Sequence, residues 1–451
     1  HDGPFRWHYV EHHAAHEASA YLAAPFDDCA VLTMDGRGER VTTSYGLFRD
    51  GYYRRLKQIE LPNSLGLLYE RITEHLGFLR SSDEYKVMAL ASFGEDSYRA
   101  AFREMLRYEG DGEYRVTDID LERALGPARR KGEAFDKRHQ DIACSLQVAL
   151  EGTVLEMCEW LHGQTRASDL AMAGGVALNS LPNPRVHDKG PFRNVWVHRA
   201  AGHAGTALGA ALLVDRAESG AKTKRWSMQH AYWGPGFNDP ESEAFLRQAK
   251  IPYSRPADIA QAAAELLAQD KILGWFQGRM EFGPRALGAR SVIASPIAES
   301  MQARLNALKE REDFRPVAPA VLEEEAPNWF VSAGGNTGPG ATHPSGPGAM
   351  CAPFMLFIYD VRPDKADRIP AVRHTDGTAR IQTVRREHNA LYYDVIKAFG
   401  ERTGVPIVVN TSFNTRGEPI VCTPRDAIEC FYTSPLDALA IGPFLLEKPA
   451  R

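Results

Sequence analysis

The sequence predicts an α/β protein, and three observations lead to that fold class. Residues 29–62 contain three alternating apolar segments joined by glycine-containing turns, which is the pattern of an antiparallel meander of strands. A helical stripe follows at 64–77, and a strand pattern at 169–173 then runs into two glycines that begin another helix. From residue 257 onward helical and strand patterns alternate, as they do along a sheet covered by helices.

The remaining elements follow from the same periodicities. Ser64 is a good N-cap for the helix at 64–77, and Gly205 and Gly209 permit close backbone packing of a later helix. The other predicted helices are at 97–109, 136–162, 257–269, 298–311 and 389–401, with one more begun by Thr423 and Pro424. The other predicted strands are at 195–198, 271–277, 355–360, 379–384, 405–410 and within 437–446. The low-complexity segment 332–349 is interpreted as a surface insertion, with a mobile lid as the alternative.

The length of the chain, 451 residues, exceeds what one hydrophobic core holds and predicts two or three domains. Between 215 and 235 the sequence becomes charged and then Gly/Pro-bearing, so we place domains at 1–222 and 223–451. The order of elements in the first domain resembles one lobe of the actin-like (ASKHA) ATPase fold. Folds of this kind have two lobes. Residues from about 26 to 222 correspond to the second lobe, and the residues before them provide only a fragment of the first, so we expect more residues ahead of His1.

Composition excludes several classes of partner. The net charge is −5, which provides no basic footprint for nucleic acid, and no apolar run approaches the roughly 20 residues of a membrane span. The six cysteines are scattered without a CxxC pair, which favours reduced thiols and a cytoplasmic location. The sequence permits a homodimer but does not specify one.

The segment Tyr9–Leu22 predicts a helix on which His12 and His16, four residues apart, project from one face. Two neutral imidazoles at this spacing can bind one iron, zinc, cobalt or manganese ion, although helices also carry histidines without a metal. Asp35 ends a strand before a glycine turn, and His203 lies in a small-residue loop that begins a helix. Each is a further candidate ligand, with a plain turn acid and a solvated histidine as the alternatives.

Two glycines in AGGVALNS suggest a place for a nucleotide or phosphate. Gly174 and Gly175 follow a strand and precede a predicted helix, so a ligand could approach backbone N–H groups at the positive end of that helix. Gly-Gly also occurs in plain turns after strands, so a plain turn and a ligand-binding turn are equally good interpretations of this segment.

The second domain concentrates cationic and hydroxyl side chains in its predicted loops. Arginine forks and hydroxyls that converge in this way suit a polyphosphate and a planar, carboxylate-like group. The alternative is a set of solvated loops whose cations pair with nearby acids. The residues concerned are Arg279, Glu281, Arg285, Arg290, Ser291, Lys309, Arg311, Arg315, His374, Arg380, Asn410, Ser412 and Asn414.

Several motifs together resemble the NodU/CmcH family of O-carbamoyltransferases, which includes an antibiotic-modifying enzyme. The motifs cover essentially the whole chain, and their combination is specific although each alone is weak. They are EHHAAHEASA, TMDGRGE, DEYKVMALASFG, AGGVALNS, GHAGTALGAAL, GRMEFGPRALGARS, FRPVAPAVL, HTDGTARIQTV and NTSFNTRGEPIVCTP.

The resemblance implies two catalytic domains and an ATP-dependent reaction. A YrdC-like domain would make carbamoyl-adenylate from carbamoyl phosphate and ATP, which brings Mg²⁺ with it. An actin-like domain, related to tRNA threonylcarbamoyl-transfer enzymes, would hold Fe²⁺ or another divalent metal and pass the carbamoyl group to a hydroxyl of a small molecule. The alternatives are a metal-dependent hydrolase, a nucleotide-binding regulatory protein, or a tRNA-modifying carbamoyl-transfer enzyme.

The resemblance also assigns residues. His12, His16 and Asp35 match the family's metal ligands, whereas His203 stands where the family usually has an aspartate. Residues Gly174, Gly175, Val176 and Asn179 match the turn that holds the nucleoside. In the second domain Lys309 with Arg311 and Ser412 with Asn414 match the KxR and SxN pairs that grip the nucleotide phosphates and the small substrate. We assign Lys309, Arg311 and Arg285 to catalysis and Ser412 and Asn414 to the nucleotide. The residues assigned to carbamoyl phosphate are Arg279, Arg290, Ser291, Arg315, His374, Arg380 and Asn410. The acceptor and the general base stay unassigned.

Overall fold

The computed structural model describes residues 6–220, 226–331 and 352–448, together with the backbone of 342–343 and 346–347. The chain divides into two compact units, His1–Met228 and Gln229–Arg451. The side chains of the segment 332–349, for which the sequence suggests a surface insertion, lie outside the described residues. No helix among the described residues has the length and apolarity that a bilayer span needs.

The described residues of the first unit form eight helices and seven strands. The helices are α1 His12–Ala23, α2 Leu65–His75, α3 Glu84–Leu90, α4 Arg99–Met105, α5 Leu121–Leu125, α6 Lys137–Thr165, α7 Pro182–Lys189 and α8 His203–Ser219. The strands are β1 Cys29–Met34, β2 Val41–Arg49, β3 Tyr52–Glu60, β4 Leu106–Gly110, β5 Glu113–Val116, β6 Asp169–Ala173 and β7 Asn194–Val197.

Strand β1 is at the centre of a five-stranded sheet in the order β3-β2-β1-β6-β7. Strand β2 pairs antiparallel with β1 and with β3, which confirms the predicted meander, while β6 and β7 extend the sheet in parallel. Every residue of β1 is buried, as expected for a strand packed on both faces. Asp35 follows its last residue, so the carboxylate lies at the carboxyl edge of the sheet.

Glycine in α8 lets α1 lie directly against it. A Cβ on Gly209 would come within 1.8 Å of the Ala15 carbonyl oxygen, so a side chain at this position would force the two helices apart. Gly205 is equally restricted, because its Cβ would lie 2.3 Å from the Ala200 carbonyl oxygen. The predicted close packing is therefore confirmed, and it brings the histidines of α1 near the start of α8.

The predicted helix at 97–109 is wrong in its last four residues. Helix α4 ends at Met105, and the following residues form β4, which pairs with β5 in a separate hairpin. The turn of this hairpin contains three successive residues with positive φ, Gly110 at 90°, Asp111 at 49° and Gly112 at 75°. Pairing with β5 across this turn, rather than local helical periodicity, therefore decides the conformation of residues 106–109.

The predicted helix after Gly175 is also wrong. Residues Gly175–Leu178 form only a 3₁₀ turn, and α7 begins separately at Pro182. Proline suits the first position of a helix, where its missing N–H breaks no hydrogen bond, and so it starts a new helix here.

The second unit contains a larger, mixed sheet. Its described helices are α9 Asp239–Gln248, α10 Ile259–Ala268, α11 Met301–Leu308, α12 Ala326–Trp329, α13 Ala390–Thr403 and α14 Pro424–Thr433. Its described strands are β8 Leu273–Phe276, β9 Arg290–Ala294, β10 Ala318–Leu322, β11 Phe330–Val331, β12 Thr342–His343, β13 Gly346–Pro347, β14 Phe357–Val361, β15 Thr378–Val384, β16 Ile407–Ser412, β17 Ala438–Ile441 and β18 Phe444–Glu447.

Nine of these strands form one sheet in the order β11-β14-β15-β10-β16-β9-β8-β17-β18. Sequence patterns miss β9 and β10, although both lie inside the sheet and are buried along their whole length. Arg290 at the start of β9 and Pro319 within β10 are residues that usually argue against an interior strand. Helix α9 is also missed, whereas α14 starts at the predicted cap, because Thr423 accepts a hydrogen bond from the Asp426 N–H.

Candidate functional site

Four side chains of the first unit converge at the edge of its sheet. His12 and His16 lie one turn apart on α1, Asp35 follows β1, and His203 is the first residue of α8. The ligand atoms of these four residues all lie within 4.8 Å of one another. The residues that the sequence proposes as metal ligands are therefore brought together by the fold.

The distances inside this cluster, which we call the His–Asp cluster, suit a shared cation. His12 Nε2 lies 3.0 Å from Asp35 Oδ2 and 3.1 Å from His16 Nε2, and His203 Nε2 lies 3.4 Å from Asp35 Oδ2. Tetrahedral ligands about 2.0–2.2 Å from a zinc-like ion are roughly 3.3–3.6 Å apart. Three imidazoles and one carboxylate are also a suitable donor set for a divalent transition metal, so the residues fit the implied ion.

Electrostatics keep the carboxylate of this cluster ionised. Burial would raise the pKa of Asp35, but hydrogen bonds with His12 and His16 outweigh it and hold that pKa well below its usual range. The hydrogen bond with Asp35 raises the pKa of His12, whereas burial lowers the pKa of His16. Because a metal binds deprotonated side chains, the ionised Asp35 and the neutral form favoured at His16 are the ligating forms.

The loop that presents Asp35 is fixed from outside the cluster. The Gly175 N–H donates to Asp35 Oδ1 at 2.9 Å, so the second carboxylate oxygen is also held. The Ser64 hydroxyl donates to the Gly36 carbonyl at 2.6 Å, and it also caps α2. A Cβ on Gly66 would lie only 2.7 Å from Gly36 Cα, so the loop rests directly on the first turn of α2. Neighbouring contacts of this kind fix the orientation of a ligand.

The proposed nucleoside turn is close to this carboxylate. The Gly174 φ is +92°, and its Cβ would overlap the Met34 carbonyl oxygen at 2.1 Å, so the position requires glycine. The Gly175 N–H is donated to Asp35 rather than left for a phosphate. Asn179 Nδ2 donates to Gln147 Oε1 at 2.8 Å, a partner that the apolar stripe of α6 does not reveal. The side chain of Asn179 therefore supports the turn in this structure.

A second cluster lies in the other unit and contains cations. Lys309 Nζ, at the end of α11, lies 3.0 Å from Ser412 Oγ and 2.8 Å from Asn414 Oδ1, and it also contacts the Ser412 carbonyl at 2.6 Å. Burial, and then the charges of Arg311 and Arg315, lower the pKa of Lys309 to about 7. The structure thus joins the two short motifs, although they are separated by about a hundred residues.

The arginines whose charges act on Lys309 also act on Arg380. Burial lowers the pKa of Arg380 well below its usual value, and the charges of Arg285, Arg311 and Arg315 lower it further. Burial also lowers the pKa of the nearby His374 to about 4. We call Arg285, Lys309, Arg311, Arg315 and Arg380 the cation cluster. Arg315 Nη1 lies 3.6 Å from Glu312 Oε2, so part of this positive charge is balanced within the chain. Phosphate is the usual partner of arginine forks, and an anion of this kind would stabilise the remaining charge.

Four predicted anion ligands make other contacts. Arg279 is exposed and donates to the Trp233 carbonyl at 2.8 Å. Arg290 is fully buried in β9, where its guanidinium lies 3.7 Å from the Phe276 ring and donates to backbone carbonyls. The remaining two residues bond to the loop between β8 and β9: Ser291 Oγ accepts the Gly288 N–H at 2.9 Å, and Asn410 Nδ2 donates to the Ala286 carbonyl at 3.1 Å.

Two protein-family models together match most of the chain, including the residues of both clusters. The model described as Carbamoyltransferase N-terminus matches residues 6–212, and the model described as Carbamoyltransferase C-terminus matches residues 264–448. The chain belongs to the carbamoyltransferase family. The resemblance inferred from its motifs is confirmed, and the protein is an enzyme of the transferase class.

The sequence similarity to known relatives covers most of this carbamoyltransferase. Nodulation protein NolO of Bradyrhizobium diazoefficiens is 40% identical, over 97% of this chain and 79% of the relative. Nodulation protein U of Sinorhizobium fredii is 30% identical, over 92% of this chain and 74% of the relative. A solved structure, full-length HypF in its phosphate- and nucleotide-bound form, is 15% identical with a TM-score of 0.30 and covers 43% of this chain and 22% of that chain. A likeness this low carries no argument about fold or ligand.

Proposed function

We propose that this carbamoyltransferase makes carbamoyl-adenylate in its second unit and transfers the carbamoyl group in its first. Water would convert carbamoyl phosphate to carbamate and inorganic phosphate. A carbamate oxygen would then attack the α-phosphorus of ATP, and pyrophosphate would leave. Finally, an acceptor hydroxyl oxygen would attack the carbamoyl carbon, AMP would leave, and the hydroxyl proton would pass to solvent or to AMP.

The observation that carries this proposal is that one carbamoyltransferase contains a cluster suited to anions and a cluster suited to a metal cation. The cation cluster suits carbamoyl phosphate and the phosphates of Mg²⁺–ATP, whereas the His–Asp cluster suits a metal ion. Adenylation supplies the good leaving group that a carbamate lacks, so an enzyme that carbamoylates a hydroxyl benefits from both.

In the second unit we propose that the cation cluster neutralises the negative charge of the reacting phosphate groups. Lys309 and Arg311 would lie where negative charge grows on the phosphate oxygens, and Arg285 and Arg380 would add further positive charge. Fixed charges of this kind lower the barrier because they need no reorganisation during the reaction. Ser412 and Asn414 hold Lys309 in place through hydrogen bonds to its ammonium.

In the first unit the chain's own residues would orient the intermediate. A bound divalent ion, Fe²⁺ or another, would polarise a carbonyl or phosphate oxygen. Asp35 is held in one orientation by the Gly175 N–H, and the turn from Gly174 to Asn179 would lie against the nucleoside. The sheet order of this unit, three antiparallel strands followed by two parallel strands, supports an actin-like lobe. We propose a YrdC-like fold for the second unit.

The acceptor is proposed to be a hydroxyl of a sugar or another natural product, as expected of a small-molecule carbamoyltransferase. The test is mass spectrometry of candidate acceptors incubated with protein, ATP and carbamoyl phosphate. The expected product is heavier by one carbamoyl group, and its formation requires both ATP and carbamoyl phosphate. A product formed without ATP would contradict the adenylate route.

A further inference from the structure

The loop between β8 and β9, residues 277–289, carries Arg285 to the cation cluster. Four side chains from outside the loop hold its backbone at three successive residues; that of Tyr232 is half-buried and the other three are buried. The contacts are Asn410 Nδ2 to the Ala286 carbonyl at 3.1 Å, Gln382 Nε2 and the Tyr232 hydroxyl to the Leu287 carbonyl at 2.8 Å each, and Trp275 Nε1 to the Gly288 carbonyl at 3.0 Å. The carbonyl groups of this part of the loop are therefore fixed.

The N–H groups of the same loop converge on one carboxylate. Glu281 Oε1 accepts the N–H of Leu287 at 2.5 Å, of Ala289 at 2.9 Å and of Arg290 at 3.4 Å. Only 6% of Glu281 is exposed, so these hydrogen bonds form away from water. Hydrogen bonds to an ionised acceptor are about twice as strong as neutral ones, and here they draw the two ends of the loop together.

Glu281 also serves as a counter-charge. Burial lowers the pKa of Arg290 to about 10, and the charge of Glu281 opposes that shift. The carboxylate therefore has two separable roles, one through the position of its oxygen and one through its charge. The two roles predict different outcomes when Glu281 is replaced.

We propose that Glu281 is the positioning residue of the cation cluster: its carboxylate oxygen closes the loop so that Arg285 is held near Arg380. Two guanidinium groups repel each other, and a free loop would relax away from the other cations. A closed loop holds the charge in place before an anion arrives, which is the preorganisation that phosphate chemistry needs. This inference rests on the proposed function in one respect, namely that the cation cluster binds phosphate.

A matched pair of variants separates position from charge. Glu281→Gln keeps an oxygen at the same reach but loses the charge, whereas Glu281→Asp keeps the charge but withdraws the oxygen by about 1.5 Å, the length of one carbon–carbon bond. Pyrophosphate affinity, measured by calorimetry at a temperature where each variant is folded, is the readout. We expect the Gln variant to bind within about threefold of the wild type and the Asp variant to bind roughly tenfold more weakly.

A double-mutant cycle shows whether Glu281 acts through Arg285. Arg285→Ala is expected to weaken pyrophosphate binding about tenfold to a hundredfold, and adding Glu281→Asp is expected to cause little further loss. Additive losses, or an Asp variant that binds as the wild type does, would overturn this inference alone. A wild-type protein that does not bind pyrophosphate would overturn the proposed function of the second unit and this inference with it.

Discussion

The His–Asp cluster and the cation cluster differ in how their charges are balanced. In the first, the ionised Asp35 lies among three imidazoles, so a divalent ion would meet one negative charge and three nitrogen donors. In the second, the charges that lower the pKa of Arg380 are those of Arg285, Arg311 and Arg315. We therefore expect the first cluster to bind a cation and the second to bind an anion. On the proposed function, one chain separates metal chemistry from phosphate chemistry by the sign of the charge that its two clusters carry.

The largest expected effect comes from breaking the first cluster. His16→Ala removes a fully buried candidate ligand, so we expect metal content to fall to background and carbamoylation of the acceptor to stop. Pyrophosphate release that depends on carbamoyl phosphate is expected to remain largely intact, because the cation cluster is untouched. Metal analysis and a pyrophosphate assay on the same preparation check both expectations.

His187→Ala is the matched control for this experiment. His187 lies on α7 and pairs with its neighbour Asp188, so its loss removes an imidazole without touching the His–Asp cluster. If His16→Ala protein kept full metal content, or lost pyrophosphate release as completely as carbamoylation, the division of labour between the clusters would be wrong.

A smaller effect is expected from weakening the second cluster. Arg311→Ala, or Lys309→Ala assayed below pH 7 where the amine is charged, removes one cation, and such losses typically cost about 10² to 10³ in rate. Pyrophosphate release should fall by that factor and carbamoylation should fall with it, while metal content stays at the wild-type level. Lys397→Ala, an exposed lysine on α13 that lies 4.0 Å from Glu401, is the control and should leave both rates unchanged. Loss of metal from the Lys309 variant would contradict the comparison.

The smallest expected effect is a dependence of anion binding on pH. The pKa of Lys309 is lowered to about 7, so its amine is charged below that pH and becomes neutral above it. Sulfate affinity should therefore decrease between pH 6 and pH 8, by at most about tenfold per pH unit, because one proton is linked to binding. Sulfate is a suitable probe because its own charge does not change in this range, unlike that of phosphate.

Lys309→Met should remove this dependence and bind sulfate weakly at every pH. Lys309→Arg should keep its charge and give a flat profile too. An equal slope in the wild type and in the Met variant would assign the titration to another group and would leave Lys309 charged throughout.

The sequence predicts a feature of the sites well when the contacts that form it join residues close in the chain, and poorly when they join distant segments. The His12–His16 pair follows from helical periodicity, and the ends of α2 and α14 follow from Ser64 and Thr423, whose hydroxyls cap the adjacent turn. By contrast, the loop interpretation of Arg290 failed, because burial of an arginine is decided by the carbonyl groups that other segments bring to it. Local patterns carry no information about those groups.

The sequence by itself determined the carbamoyltransferase motifs, the three-strand meander and the residue types at both clusters, because these depend on contacts within a few residues. Only the tertiary structure decided their partners. The pairing of β9 with β16 sets Ser412 opposite Ser291 and brings Ser412 within reach of Lys309. The pairing of β1 with β6 likewise places the Gly175 N–H on Asp35, although 140 residues separate the two. Strand order and register couple distant segments, so the groups that hold each ligand follow from the whole sheet rather than from any one motif.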